Sequence, residues 1–477
     1  MTDIASHLLH GGSNPPARAL QQSAGQREKS PDRHSARPNR TTGSRHEKAL
    51  VSPASKNPST RRPAPSATTH GVPGWLVALL AVASGMTVAN LYYAQPLLSS
   101  LSRVFHLGTA AAGTLITVTQ IGYVAGMLLL VPLGDRLEKR RLVTALLAVT
   151  TVALAVAGTA ADFPVLLVAS LVSGATSVVA QILVPFAAGL APDHARGRVV
   201  GRVMSGLLAG ILLSRTVSSL VSDVAGWRYV YLGSAVLMAL LALALRAALP
   251  QHAPTTSLPY SQVLRSTVRL LRTHPALRRR GLYQAAMFGA FSAFWTTVSF
   301  LLTGPFHYSP IGVAVFALVG AAGAAVAPTA GRWADRGLVR PVTGIAFGVA
   351  AAAFAVAGFG QHSIVLIALA AILIDMAVQT ALILGQHTVY QLDAAARSRL
   401  NSAFIAVFFA GGALGSQLGS LAYHAAGWTA VSVLGAALPL VGLAYWGTEL
   451  RAARKGTPAA TAQDSTGQNT TGQAASP

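Results

Sequence analysis

Residues 195–227 read ARGRVVGRVMSGLLAGILLSRTVSSLVSDVAGW, and residues 396–428 read ARSRLNSAFIAVFFAGGALGSQLGSLAYHAAGW. Each opens on a basic pair, runs through apolar and small residues, and closes on Ala-Gly-Trp. The two register without a gap at an offset of 201 residues. Ala195-Arg196-Gly197-Arg198 falls on Ala396-Arg397-Ser398-Arg399, Ala209-Gly210 on Ala410-Gly411, and Ala225-Gly226-Trp227 on Ala426-Gly427-Trp428. A further echo precedes them, Asp135-Arg136 against Asp335-Arg336. An apolar run of about twenty residues is what a helix needs to cross a bilayer. Its recurrence in register implies one membrane unit used twice. Two parallel halves related about the membrane normal are one layout of secondary transporters, with substrate held between them near the midplane.

The same run length recurs along the chain. Only 10% of the residues are charged, where a soluble protein carries about 25%. Spans are expected at 75–98, 110–133, 142–160, 163–190, 201–224, 228–249, 282–303, 309–330, 341–359, 362–389, 402–425 and 428–447. Lipid offers backbone groups no partner, so the spans are helical; the ten-residue alternation of a β-barrel is not seen. The expected class is an all-α membrane protein of about twelve spans in two six-helix halves. The halves occupy 74–249 and 282–447, joined by a linker at 250–281 and flanked by disordered tails at 1–73 and 448–477. The basic N-terminal tail lacks the apolar stretch of a signal peptide, and transport per folded molecule is expected without it. Within the linker, Tyr260–Leu277 has apolar residues at helical spacing beside Arg265, Arg269 and Arg272, the pattern of an amphipathic surface helix.

The net charge of +22 is not read as nucleic-acid binding. Much of it lies in the loops after spans two, four, six, eight and ten, with Lys139, Arg140, Arg141, Arg196, Arg278, Arg279, Arg332 and Arg397 among them. The opposite loops hold only Arg103 and Arg228. By the positive-inside rule both termini are cytoplasmic, and an even number of spans agrees. There is no cysteine, which excludes disulfides and thiolate metal sites. The histidines show no ligand spacing, and no phosphate-cradling Gly-Lys-Ser loop occurs, so neither metal nor cofactor is expected.

The loop Gly331-Arg332-Trp333-Ala334-Asp335-Arg336-Gly337 and its counterpart Gly134-Asp135-Arg136-Leu137-Glu138-Lys139-Arg140-Arg141 resemble the cytoplasmic signature of the major facilitator superfamily. Longer strings are similar to its twelve-span bacterial drug:proton antiporters, near the purine-ribonucleoside efflux pumps. They are Asn90-Leu91-Tyr92-Tyr93-Ala94-Gln95-Pro96, Thr119-Gln120-Ile121-Gly122-Tyr123, Leu213-Ser214-Arg215-Thr216-Val217-Ser218 and Arg397-Ser398-Arg399-Leu400-Asn401. The resemblance covers about 75–447. It implies a monomeric bacterial inner-membrane protein, not an enzyme, that exports small organic molecules against protons. It also implies that spans one, four, seven and ten line the central cavity.

Two ionisable residues other than histidine lie well inside spans, Arg215 in span five and Asp375 in span ten. Each costs about 2.5–3.5 kcal/mol at a helix centre, a cost normally met by a partner or a wet cavity. They are the expected proton-coupling pair: a carboxyl that meets a cation in one arrangement of the halves only would bind and release a proton as access alternates. The expected cavity groups are Asn90, Tyr92, Tyr93, Gln95, Gln120, Tyr123, Gln181, Trp295 and Gln379, a few directional polar groups in an apolar lining. At the cytoplasmic face, Asp135 is expected near Arg399 and the start of span eleven, and Asp335 near Arg198 and the start of span five. Arg136 and Arg336 complete that gate. Uptake of a nucleoside, sugar or carboxylate is the rival function. A membrane sensor with a transporter fold is the rival from another class, disfavoured because a sensor need not keep gate motifs in both halves.

Overall fold

The computed structural model of the protein describes residues 72–192, 194–251, 259–393 and 396–455; the remainder of the expected tails and part of the linker lie outside the described residues. The chain is all-helical there, with no strand among the described residues. Helices α1 (Gly74–Ala89) and α2 (Ala94–Val104) form span one, and α3 (Thr109–Leu129) with a 3-10 turn at Val131–Asp135 forms span two. Span three is α4 (Lys139–Gly158), and span four is α5 (Phe163–Thr176) plus α6 (Val179–Leu190). Spans five and six are α7 (Arg196–Ala225) and α8 (Trp227–Ala248). Helix α9 (Tyr260–Thr273) is the amphipathic linker helix, and α10 (Pro275–Thr303) is span seven. Span eight comes in pieces, α11 (Pro310–Ala317), α12 (Ala321–Ala324) and α13 (Ala327–Asp335). Then follow α14 (Val339–Phe359), α15 (Ile364–Tyr390) and α16 (Arg397–Lys455).

Ten stretches of the described residues are long and apolar enough to cross a membrane. The last is 55 residues long, too long for one crossing. It breaks at Ala426 and Gly427, the latter at φ 65°. Gly226, its counterpart at the end of α7, has φ 95°. Both sit where only glycine turns the chain without strain. The Ala-Gly-Trp repeat is therefore a tight helix-to-helix turn, with its tryptophans, Trp227 and Trp428, buried beneath it. A further repeat lies at the same offset. Phe105-His106 ends span one, Phe306-His307 ends span seven, and both histidines have φ 53°.

The halves are also packed alike. A Cβ on Gly210 of span five would lie 2.2 Å from the carbonyl oxygen of Gly85 in span one. One on Gly415 of span eleven would lie 2.0 Å from that of Gly289 in span seven. Missing side chains thus let span five touch one, and span eleven touch seven, backbone to backbone. Span seven is the most enclosed: 89% of its apolar window is buried, against 39% for span five.

The last helix extends beyond the expected span end. Residues 448–455, expected to begin the disordered tail, continue α16 as helix. Glu449 accounts for it. Its carboxylate accepts from Tyr283 at 2.9 Å and lies 3.2 Å from Arg280, 3.4 Å from Arg340 and 4.0 Å from Arg279. The carboxylate ties the end of span twelve to spans seven and nine.

Candidate functional site

The centre is built where spans are interrupted. Pro96 has no N–H to give the carbonyl of Tyr92, and its ring crowds that turn. Span one accordingly breaks between Ala89 and Ala94, and Gln95 bonds back to Tyr92 three residues away at 3.2 Å. Span four breaks at Ser177-Val178. Asn90 pins the two breaks together, donating to Ser177 Oγ at 3.4 Å and accepting from Ser234 of span six at 2.8 Å. Broken helices at mid-depth mark binding sites in transporters of several folds.

Freed from helical regularity, Tyr92 and Gln95 turn toward span five. Arg215 is 2% exposed. Its Nε donates to Oε1 of Gln95 at 2.6 Å. Its guanidinium lies over three rings: Trp295 at 4.4 Å, Tyr92 at 5.0 Å and Phe291 at 5.4 Å. Such cation–ring contacts strengthen when desolvated. Trp295 then donates its indole N–H to Oδ1 of Asp375 at 2.9 Å. Asp375 is 8% exposed and is not within 4 Å of Arg215. One tryptophan therefore stands between cation and carboxylate, its ring face to one and its N–H to the other. Spans one, five, seven and ten all contribute.

Span eight makes room for the carboxylate. A Cβ on Gly323 would lie 2.2 Å from that of Asp375, and one on Gly320 would lie 2.6 Å from Asp375 Oδ2. Pro328 cannot donate to the carbonyl of Ala324, so the span turns loosely there. The result is a stretch of nearly bare backbone laid against Asp375.

The other expected groups fall into two sets. Gln120 crosses between the halves, donating to Ser292 of span seven at 2.9 Å. Tyr123 packs on Phe409 of span eleven with ring centroids 4.4 Å apart, and its hydroxyl accepts from Gln181 at 3.2 Å. Gln181 also accepts from Asn401 across the halves at 3.4 Å. Tyr93 is held by its carbonyl, which accepts from Ser218. Gln379 is half-buried on span ten, and its side chain has no hydrogen-bond partner among the described residues. Phe288 and Phe291, stacked 5.2 Å apart, and Phe408, 4.0 Å from Phe288, form an aromatic cluster beside them that the expected set does not contain. Aromatic residues in an apolar run carry no signal of their own.

At the end bearing the basic loops, the expected gate is partly assembled. Lys139 and Arg399 are the cations beside Asp135. Arg399 also donates to Ser266 of α9 at 3.0 Å. Asp335 instead stays in its own half, 3.9 Å from His387, on a helix packed against α14 and α15. Arg198, Arg136 and Arg336 are exposed. A cavity of about 1030 Å³ opens beside Asp335, lined by Arg279, Arg280, Arg340 and Glu449 among others. At the opposite end the halves are joined by hydroxyls: Thr117 with Ser416 at 2.8 Å, Thr216 to the carbonyl of Ala314 at 3.3 Å, and Ser219 to that of Pro310 at 2.7 Å.

Comparison with known proteins agrees with this architecture. A family model described as Major Facilitator Superfamily matches residues 77–394. The uncharacterized transporter YgaY of Escherichia coli O157:H7 is 39% identical over 378 residues, 79% of this chain and 96% of that protein. The probable transporter SCO4007 of Streptomyces coelicolor is 34% identical over 403 residues, 84% of this chain and 92% of that one. Among solved structures, a bacterial homolog of the human lysosomal transporter Spinster, inward-facing and occupied, superposes with a TM-score of 0.63 at 13% identity, covering 79% of this chain and 96% of that one. The nucleoside transporter NupG, in a mutant form, gives 0.65 at 15% identity, covering 78% and 99%. At those identities the likeness is one of fold.

Proposed function

The chain belongs to the major facilitator superfamily, and on that premise we propose that it is a proton-coupled secondary transporter of small organic molecules, with Asp375 carrying the proton. The observation that supports this is the Arg215–Trp295–Asp375 arrangement at the junction of four spans. Burial favours the neutral form of a carboxyl and a nearby cation favours the charged form. A carboxyl buried against one half, with its cation on the other, is set between the two. Rocking of the halves would move Arg215 relative to Asp375 and so tie proton exchange to access. The basic loops are cytoplasmic, as are both termini, in a bacterial inner membrane. The hydroxyl-bonded end faces outward and is closed in this structure.

Export, with proton and substrate alternating on the site, is the direction supported by the resemblance to drug:proton antiporters. Uptake with both bound together is favoured by one observation, the unpaired N–H groups of Arg215 and Gln95, whose acceptor would compete with Asp375 for the guanidinium. Transport of a compound library by reconstituted vesicles under an imposed pH gradient tests the reading. Asp375→Asn should abolish pH-driven accumulation and leave substrate exchange intact. Accumulation by that variant equal to the parent's would refute the assignment of Asp375.

A further inference from the structure

Two buried N–H donors at the centre have no hydrogen-bond partner among the described residues. Arg215 and Gln95 are 2% and 1% exposed. The Arg215 Nε–H must meet an oxygen, so the Gln95 amide presents Oε1 to it at 2.6 Å, and the atom left over is Nε2. Nη2 of Arg215 and Nε2 of Gln95 are both buried without a partner. Buried polar groups are nearly always paired, and an orphan needs an explanation. Phe291 and Trp295 have no acceptor atom, the Tyr92 hydroxyl does not bond to either donor, and the Trp295 N–H is already given to Asp375.

We infer that these two N–H groups anchor the carboxylate of an organic acid with an apolar, preferably aromatic, body. This deepens the transport reading above and rests on it. A carboxylate brings two oxygens, one for each donor, and a charge-assisted bond to each. An organic cation fits poorly, because Arg215 already lies on the ring faces that would hold it. A dianion such as a phosphate monoester carries one charge more than the single guanidinium balances, beside Asp375. The body lies along the Phe288–Phe291 face of span seven.

One guanidinium then serves two carboxylates, the substrate's and that of Asp375. Binding of the acid anion takes a proton from solution onto Asp375, and release on the other side returns both. The loaded site carries one proton per monoanion and the cycle is electroneutral, which selects uptake from the two directions above.

The test uses purified full-length protein in nanodiscs. Probes are phenylacetate, indole-3-acetate and cyclohexylacetate, the corresponding amides, and benzyltrimethylammonium. Equilibrium dialysis gives affinity, and a pH indicator in weak buffer gives proton uptake. The acids should bind at least tenfold more tightly than their amides, with about one proton taken up per acid bound. Gln95→Leu should weaken acid binding about tenfold, and Arg215→Lys, which keeps the charge but loses the fork, should weaken it further. Equal binding of acid and amide, binding of the ammonium compound alone, or no binding by any acid overturns the inference. If no acid binds yet other compounds move under a pH gradient in an Asp375-dependent way, the carboxylate anchor fails and the transport reading stands. If acids bind through Arg215 and Gln95 but no pH-driven movement depends on Asp375, the reverse holds.

Discussion

Arg215 and Asp375 could be picked from the sequence because charge is conspicuous in an apolar run. Their relation could not, since it passes through Trp295, which lies 80 residues from each. An indole in a transmembrane helix reads as packing until its N–H is seen to have a target. Trp295→Phe keeps a ring face for Arg215 and removes the donor to Asp375. We expect a loss of about 1–3 kcal/mol in stability, read as a lower melting temperature in detergent. Asp375→Asn should melt close to the parent, because an amide oxygen still accepts from the indole. If Trp295→Phe and the parent melt alike, the indole–carboxylate bond does not hold this site together.

Span positions were legible at the level of elements because run length fixes a crossing. The interior breaks were less so. Pro96 and Pro328 signal two of them by their missing N–H, but the Leu318–Ala325 stretch reads as one smooth apolar helix. Its glycines are explained only by Asp375 on the facing span. Gly323→Val should force span eight away from Asp375, costing about 1–3 kcal/mol or more together with transport. Gly331→Ala, where a Cβ would meet nothing within 4 Å, should stay within about 0.5 kcal/mol of the parent. Equal melting of these two variants would show that span eight does not press on the carboxylate. Glu449 was hidden for another reason: it follows the last apolar run and resembles the start of a tail. Glu449→Gln leaves Arg280 buried without its anion, and a loss of about 3–5 kcal/mol is expected by thermal unfolding.

On the scale of the whole molecule, the duplication at one offset announced the two halves and their likeness. It could not announce which gate is shut, because one sequence serves every state of the cycle. Asp335 shows this, standing beside His387 and away from the half that its position in the repeat suggests.

The two ends of the molecule are closed by different forces. At the basic end Asp135 of the N-terminal half faces Arg399 of the C-terminal half, whereas the ion pairs of Glu138, Glu449 and Asp335 each stay within one half; the other end is held by Thr and Ser hydroxyls and by Gly113 packed on Ser420. Ions in solution weaken exposed charge pairs, with a Debye length of about 8 Å at physiological ionic strength and about 3 Å at 1 M. They scarcely touch a hydroxyl on a carbonyl. The two half-cycles should therefore respond unequally to salt. Stopped-flow records of the two reorientations should show added potassium chloride accelerating the step that opens the charged end, while the step that parts the hydroxyls keeps its rate. Steady-state turnover would then lose its salt dependence once the neutral gate became the slower of the two.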